Sequence, residues 1–265
     1  MIECVINISE GRDLDLVEEI ALSAGSDLLD VHCDADHNRS VITVVGAAAP
    51  PAVINAAVER LDLRTHTGVH PRIGVVDVVP FVPLAGSTFD DALSARDATS
   101  SWIANELQIP VFLYGPERTL PDIRRGAFTA VVPDFGPSEP HPTAGAVAVG
   151  ARELMLAWNL WLSEPDLDLA KSIASSIRGP GVRALGLQAG DEVQVSMNLI
   201  DPLAVRPAEV YDRVAALATI ERAELVGLAP QSVLDAVNEN RWKQLNLSVE
   251  TTIESRLQRH LHGGA

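Results

Sequence analysis

The chain has 265 residues, of which 47% are hydrophobic and 4% aromatic, enough to bury one large core or two smaller ones. Its 20 basic and 36 acidic residues give a net charge of −16, which disfavours non-specific nucleic-acid binding because such binding depends on neutralising phosphates. No stretch resembles a membrane-spanning helix or a signal peptide, so we expect a cytoplasmic protein. Cys4 and Cys33 lack CxxC spacing and are expected to be reduced, buried thiols.

Short apolar runs rich in β-branched residues alternate with segments of helical periodicity. This alternation is typical of an α/β or α+β protein. The pattern predicts helices near 13–24, 51–60 and 89–107, and it predicts strands near 2–8, 27–33, 40–46, 75–82 and 110–114. Residues 131–152 are predicted to form a long polar loop, and loops of this length in compact domains are usually functional or act as linkers.

The two halves of the sequence resemble each other. NISEGRDLDLVEEIA (7–21) aligns with LWLSEPDLDLAKSIA (160–174), and two further pairs follow in the same order, 39–61 with 191–217 and 74–84 with 223–234. Each half therefore follows the ferredoxin-like order β-α-β-β-α-β. Recurrence of Ser and Asp at helix starts by chance explains three ordered matches poorly. We expect an internal duplication with domains 1–153 and 154–265, the first carrying an extension over 85–153.

A polar turn, DADHNR, separates the second and third predicted strands. In one interpretation Asp34, Asp36 and His37 are ligands of a metal-dependent hydrolase, although no second His or Asp cluster completes the coordination shell. In another, the turn is stabilised by Asx side chains that bond to their own backbone. In a third, Asn38 and Arg39 bind a ligand at the strand end, with Arg39 clamping a carboxylate.

The stretch RTHTGVHPRIGVVDVVPF (64–81) contains a second candidate site. His70 precedes a proline, which favours an extended backbone, and Arg64 and Arg72 add positive charge nearby. Histidine is the commonest acid–base group near neutral pH, yet a histidine in a loop is more often a hydrogen-bonding residue. Both interpretations of His70 stay open on the residues alone. His66 has a weaker context.

Several motifs, in order, resemble the formiminotransferase domain of the glutamate formiminotransferase family, from residue 2 to about residue 235. They are IECVINISEG, DADHNRSVITVVG, LRTHTGVHPRIGVVDVVPFVP, PVFLYG, RRG, DFGP, GARELMLAWNLWL and VQVSMNLID. The resemblance implies two β-α-β-β-α-β subdomains whose sheets face each other across a tunnel that holds folate, commonly in a homodimer. Nothing that follows resembles the cyclodeaminase domain of bifunctional members.

The resemblance also implies an activity, the transfer of a formimino group from N-formiminoglutamate to tetrahydrofolate as co-substrate, with no metal expected. For this chain we expect transfer of a formimino or a formyl group between N-formiminoglutamate, or a similar small amine, and folate. The family's catalytic histidine maps onto His70, which would act as general acid and base. Arg39 and Arg72 are candidates for binding carboxylates, and side-chain amides are candidates for further contacts at Asn7, Asn38, Asn159, Gln194 and Asn198. Asn7 and Asn159 are expected at equivalent strand ends. Alternatively, Arg72 pairs with Asp77 and the asparagines cap turns.

Two positions depart from the family's pattern. Val69 stands where a glutamate usually precedes the histidine, and His32 stands where mammalian-type members have an acidic residue. Without these carboxylates the site has a lower preference for a cationic formimino group. The alternative function is therefore a non-catalytic folate- or metabolite-binding paralogue with the same fold.

Overall fold

The structure, a computed structural model, describes residues 1–69 and 71–262. It divides into two compact units, Met1–Glu153 and Leu154–Ala265. Each unit has its own β-sheet and hydrophobic core. The mixed α/β class predicted from the sequence is confirmed. Within the described residues, no helix is both long and apolar enough to cross a membrane.

The first unit contains a six-stranded sheet, with β1 (Ile2–Ile8), β2 (Leu28–Asp34), β3 (Arg39–Val45), β4 (Val76–Pro83), β5 (Val111–Tyr114) and β6 (Val147–Ala151). The strand order is β2-β3-β1-β4-β6-β5. The first four strands pair antiparallel, whereas β6 pairs in parallel with both β4 and β5. The C-terminal end of β1 therefore lies beside the start of β3 and the start of β4.

Helices cover both faces of this sheet. One face packs on the apolar sides of α1 (Leu14–Leu22), α2 (Ala49–Arg60) and α3 (Phe89–Trp102). The other face packs on α4 (Leu120–Gly126) only beside β4, β5 and β6. Since side chains alternate along a strand and Ile6 and Ile8 belong to the core under α1 and α2, Asn7 projects from the opposite face.

The second unit contains an antiparallel sheet of β7 (Leu156–Leu162), β8 (Val182–Ala189), β9 (Glu192–Leu199) and β10 (Ile220–Leu225), in the order β10-β7-β9-β8. Its helices are α5 (Leu167–Ile177), α6 (Pro207–Ala215), α7 (Gln231–Asp235), α8 (Glu239–Trp242) and α9 (Ile253–His262). The first six elements follow β-α-β-β-α-β, as the first six of the first unit do. Without β5 and β6, the first sheet has the order β2-β3-β1-β4. The second sheet, read from its other edge, has the order β8-β9-β7-β10, which is the same order of equivalent strands. A common origin by duplication stays a prediction.

The predicted long loop was partly wrong, because residues 147–151 form β6 in the interior of the first sheet. All five residues of β6 are buried. A strand that is buried on both faces lacks the polar alternation of an exposed strand, and its Ala and Gly residues have low β-propensity. Because of both features, the sequence AVAVGA has no recognisable strand pattern.

Gly11 lies where the loop after β1 crosses the turn between β2 and β3. A methyl group at this position would lie 2.3 Å from the carbonyl oxygen of Asp34 and 2.6 Å from the amide nitrogen of Arg39. We expect Gly11→Ala to destabilise the protein by roughly 1–3 kcal/mol, measured by urea unfolding, because backbone atoms must move to admit it. Gly179→Ala, which meets nothing within 4 Å, is the control, and equal losses in both variants would contradict this explanation.

Candidate active site

Three loops meet at one end of the first sheet, where β1 ends and β3 and β4 begin. Arg12, in the loop after β1, donates from Nε to the carbonyl oxygen of Ala35 at 3.0 Å. Asn38, in the turn between β2 and β3, accepts from the amide of Gly11 at 2.9 Å and donates to the carbonyl oxygen of Thr67 at 2.8 Å. The turn between β2 and β3 is therefore fastened both to the loop after β1 and to the loop that carries the HPR motif.

Asn38 is the anchor of this arrangement. It is 6% exposed and adopts a left-handed backbone conformation with φ of 49°, which asparagine tolerates better than most residues. Its side-chain oxygen and nitrogen both bond to main-chain groups. A ligand contact through this amide, as the sequence suggested, would use the second lone pair of the oxygen or the second hydrogen of the nitrogen.

Arg39 and Asn7 come together on the sheet face opposite α1 and α2. Arg39 donates from Nε and Nη2 to Oδ1 of Asn7 at 3.1 and 2.6 Å, and its Nη1 lies 3.3 Å from Oδ2 of Asp77. Arg124 of α4 donates from Nη1 to Oδ1 of Asp77 at 2.6 Å and contacts the second oxygen through Nη2. Asp77 forms its ion pairs with Arg39 and Arg124, whereas the sequence suggested Arg72 as its partner.

The electrostatics keep this cluster ionised. Asp77 is 1% exposed; burial alone would raise its pKa, but hydrogen bonds from Arg124 and the charges of Arg39 and Arg124 hold the pKa below its usual value. The pKa of Arg39 is lowered to about 10, mainly by burial. The negative charge of Asp77 raises this pKa, and the positive charges of Arg124 and Arg72 lower it further. At neutral pH three guanidinium groups thus act on one carboxylate, those of Arg39 and Arg124 by direct contact and that of Arg72 through its charge, and positive charge prevails locally in an acidic chain.

A cavity of about 460 Å³ lies within the first unit next to this cluster, a size typical of small-molecule sites. Arg124 belongs to both the cavity and the cluster. His141 also lines it, and because Nδ1 of His141 accepts from the amide of Ala144 at 3.0 Å, the neutral ring carries its proton on Nε2. The lining residues are Leu63, Arg64, Ile73, Arg124, Ala127, Phe128, Pro140, His141, Pro142 and Gly145.

His70 lies outside the described residues, so its catalytic role stays a prediction. Its neighbour in the sequence, Val69, is 51% exposed. His32, which the sequence singled out with Val69, lies on the edge strand β2 opposite Val41.

The proposed metal ligands form a turn instead of a coordination shell. Asp34 accepts from the amide of His37 at 2.8 Å through one oxygen, and its other oxygen lies 2.6 Å from Nδ1 of the His37 ring. Burial would raise the pKa of Asp34, but the hydrogen bonds to His37 lower it. Over residues 1–69 and 71–262, no group of three or more His, Cys, Asp or Glu side chains could hold a metal ion. The geometry is that of the Asx-turn interpretation.

In the second unit, the predicted amides lie on one face of the sheet. Asn159, Gln194 and Asn198 are on the face opposite the α5 core, since Asn159 pairs with Ser196 and Asn198 with Ala157. The expected position of Asn159 at a strand end was wrong, because it is the middle residue of β7. Its Nδ2 donates to Glu224 at 3.1 Å.

Glu224 also accepts from Nε1 of Trp161 at 2.8 Å, and the guanidinium group of Arg222 lies 4.2 Å from the centre of the Trp161 ring. Neither this group nor Arg124 was predicted from the sequence. The sequence did carry one signal for the Asp77 cluster, the charged Asp77 inside the otherwise apolar run VVDVVPF, because a buried charge requires a partner.

Comparison with known proteins follows the same division of the chain. The family model described as "Formiminotransferase domain, N-terminal subdomain" matches residues 1–152. This span coincides closely with the first compact unit, Met1–Glu153. It includes the elements that carry the Asp77 cluster, namely the end of β1, the starts of β3 and β4, and α4.

Similar proteins extend the match to the second unit. A glutamate formimidoyltransferase of Streptococcus pyogenes is 34% identical over 90% of this chain and 92% of its own length, and one of Thermoplasma acidophilum is 36% identical over 88% and 89%. The formimidoyltransferase-cyclodeaminase of Rattus norvegicus is 34% identical over 89% of this chain, but the match spans 51% of that protein. The chain belongs to the formiminotransferase family of one-carbon transferases.

Proposed function

We propose that this protein transfers a formimino group between N-formiminoglutamate and tetrahydrofolate, with His70 as general acid and base. The names and coverage of the two prokaryotic relatives support the activity, since both are glutamate formimidoyltransferases matched over nearly their whole length. Tetrahydrofolate then serves as the co-substrate. The homodimer and the cytoplasmic location stay predictions.

The observation that carries the proposal is the cluster of arginines around Asp77. N-formiminoglutamate and folate both carry glutamate carboxylates, and an acidic chain needs local positive charge to bind them. Arg39, Arg72 and Arg124 supply that charge, and guanidinium groups bind carboxylates through paired hydrogen bonds. The adjoining cavity offers further donors and apolar walls for the rest of a ligand.

The chemistry explains why a histidine suits the reaction. A nitrogen of tetrahydrofolate attacks the formimino carbon, forming a tetrahedral intermediate, and the bond from that carbon to the glutamate nitrogen then breaks. One proton must leave the attacking nitrogen and one must reach the departing nitrogen. An imidazole with a pKa near 6.5 can accept the first and donate the second, which typically raises the rate by about 10²–10⁴.

A second candidate function, binding of folate without catalysis, is favoured by one observation. Val69 stands where the resemblance implies a glutamate and is 51% exposed, so it offers no carboxylate to a cationic formimino group. This function keeps the arginine cluster and the cavity but has no turnover.

The experiment that separates these functions combines turnover with binding. Purified protein is mixed with tetrahydrofolate and N-formiminoglutamate, formation of 5-formimino-tetrahydrofolate is followed, and calorimetry measures the Kd for tetrahydrofolate in parallel. We expect both product and binding. Binding with no product supports the non-catalytic paralogue, and the absence of both refutes the two functions together.

A further inference from the structure

The ring of His66 lies between two groups whose chemistry fixes its protonation. Its Nε2 lies 2.9 Å from the carbonyl oxygen of Asn38, which can only accept a hydrogen bond. Its Nδ1 contacts Nη1 of Arg72, which can only donate one. The ring is therefore the neutral tautomer with its proton on Nε2.

These contacts fasten the chain on both sides of position 70. On the N-terminal side, the carbonyl oxygen of Thr67 accepts from Nδ2 of Asn38 at 2.8 Å. Gly68 packs so closely on the turn that a methyl group there would lie 2.5 Å from the carbonyl oxygen of His37. On the C-terminal side, Nη2 of Arg72 donates to the carbonyl oxygen of Gly68 at 2.5 Å. His66 is the link that joins Arg72 to Asn38.

We propose that His66 is a positioning residue for the transfer reaction, which in its neutral form joins Asn38 to Arg72 and holds the chain on both sides of residue 70 against the turn between β2 and β3. This inference rests on the proposed function. Protonation of His66 would make both ring nitrogens donors, remove one acceptor of Arg72 and place two cations at hydrogen-bond distance. The loop is therefore expected to loosen at low pH.

Charges from two loops act on this ring. Burial lowers the pKa of His66; the hydrogen bond to Asn38 opposes this, Arg72 lowers the pKa further, Glu10 raises it and Arg12 lowers it. Because the folded pKa is below the unfolded value of about 6.5, the unfolded chain binds this proton first as the pH falls. The contribution of the neutral ring to stability is complete above that unfolded value and is lost as the pH falls toward the folded pKa.

The test compares His66→Ala with His66→Asn, which keeps an acceptor for Arg72 but cannot be protonated. We expect His66→Ala to lower kcat roughly 10-fold at pH 8, since small misplacements of a catalytic group are costly, with the KM for tetrahydrofolate changed less than about threefold. His66→Asn should recover most of kcat. His260→Gln in α9 is the control, with unchanged kinetics.

The dependence of kcat on pH is a second measurement, because a purely structural role of His66 would leave the acid limb of this profile unchanged. In the wild type, the acid limb of log kcat against pH should reach a slope of two, because one proton binds His66 and one binds the catalytic base. In His66→Asn the slope should be one. Nitrogen chemical shifts of the wild-type ring should report the Nε2–H tautomer at neutral pH.

The outcomes separate the two proposals. No turnover in the wild type overturns the proposed function and this role with it. An active wild type whose kcat and acid limb are unchanged in His66→Ala, or whose ring is the Nδ1–H tautomer, overturns the positioning role alone.

Discussion

Replacing Asp77 with alanine is expected to lower the free energy of unfolding by about 3–5 kcal/mol. The carboxylate is 1% exposed and its oxygens are bonded by Arg39, by Arg124 and by the amide of Ile73. Removing it leaves two largely buried guanidinium groups facing each other without compensation, and this residual charge accounts for most of the cost. Urea unfolding at pH 7, monitored by circular dichroism, measures the loss.

Asp212→Ala is the matched control, because Asp212 also pairs with an arginine, Arg241, but at the surface. Its loss should not exceed about 1 kcal/mol. Since the pKa of Asp77 is lowered in the folded state, its contribution is present above the unfolded pKa of about 3.9 and is lost as the pH falls through the folded pKa. Comparable losses in the two variants at pH 7 would show that Asp77 does not neutralise the cluster.

Replacing His70 with alanine is expected to lower kcat by about 10²–10⁴, the usual contribution of a positioned acid–base group. The Kd for tetrahydrofolate should stay within about threefold of the wild type, because this role acts on the proton transfers and not on the binding of the ground state. Steady-state kinetics and calorimetry on the same preparation measure the two quantities. Added imidazole should restore part of the lost rate by replacing the missing proton acceptor.

His260→Ala serves as the control for this experiment and should keep wild-type kcat. If His70→Ala retains more than about a tenth of the wild-type kcat, a general acid–base role for His70 is untenable. Conversely, a large rise in Kd with unchanged kcat would assign this residue to substrate binding.

Much of the fold could be predicted because local patterns and global topology agree. The strands β1 to β5 follow from short apolar runs, several of them rich in β-branched residues, and the helices between them from capping residues and helical periodicity. Asp13, for example, caps α1 by accepting from the amide of Leu16. By contrast, β6 could not be predicted, because a short strand of Ala, Val and Gly buried on both faces has no distinguishing periodicity.

The candidate site could be predicted only in part, because its key pairings join distant parts of the chain. Arg39 was recognisable as a charged residue at a strand end, and the structure places it with Asn7; its binding of a ligand stays a prediction. The partner of Asp77 was not recognisable, since Arg124 lies 47 residues away in the sequence. Asn38 was expected to contact a ligand, but its amide fastens two loops, a role that becomes visible only once those loops are in place.

The activity itself is tested most directly by following the fate of the formimino carbon and nitrogen. N-formiminoglutamate carrying ¹³C and ¹⁵N in its formimino group is incubated with the protein and tetrahydrofolate, and the folate product is examined by mass spectrometry before it can cyclise or hydrolyse. We expect both labels to arrive together on tetrahydrofolate in the wild type and to be strongly reduced with His70→Ala. Product with ¹³C but without ¹⁵N, or no labelled folate at all, would contradict formimino transfer by this protein.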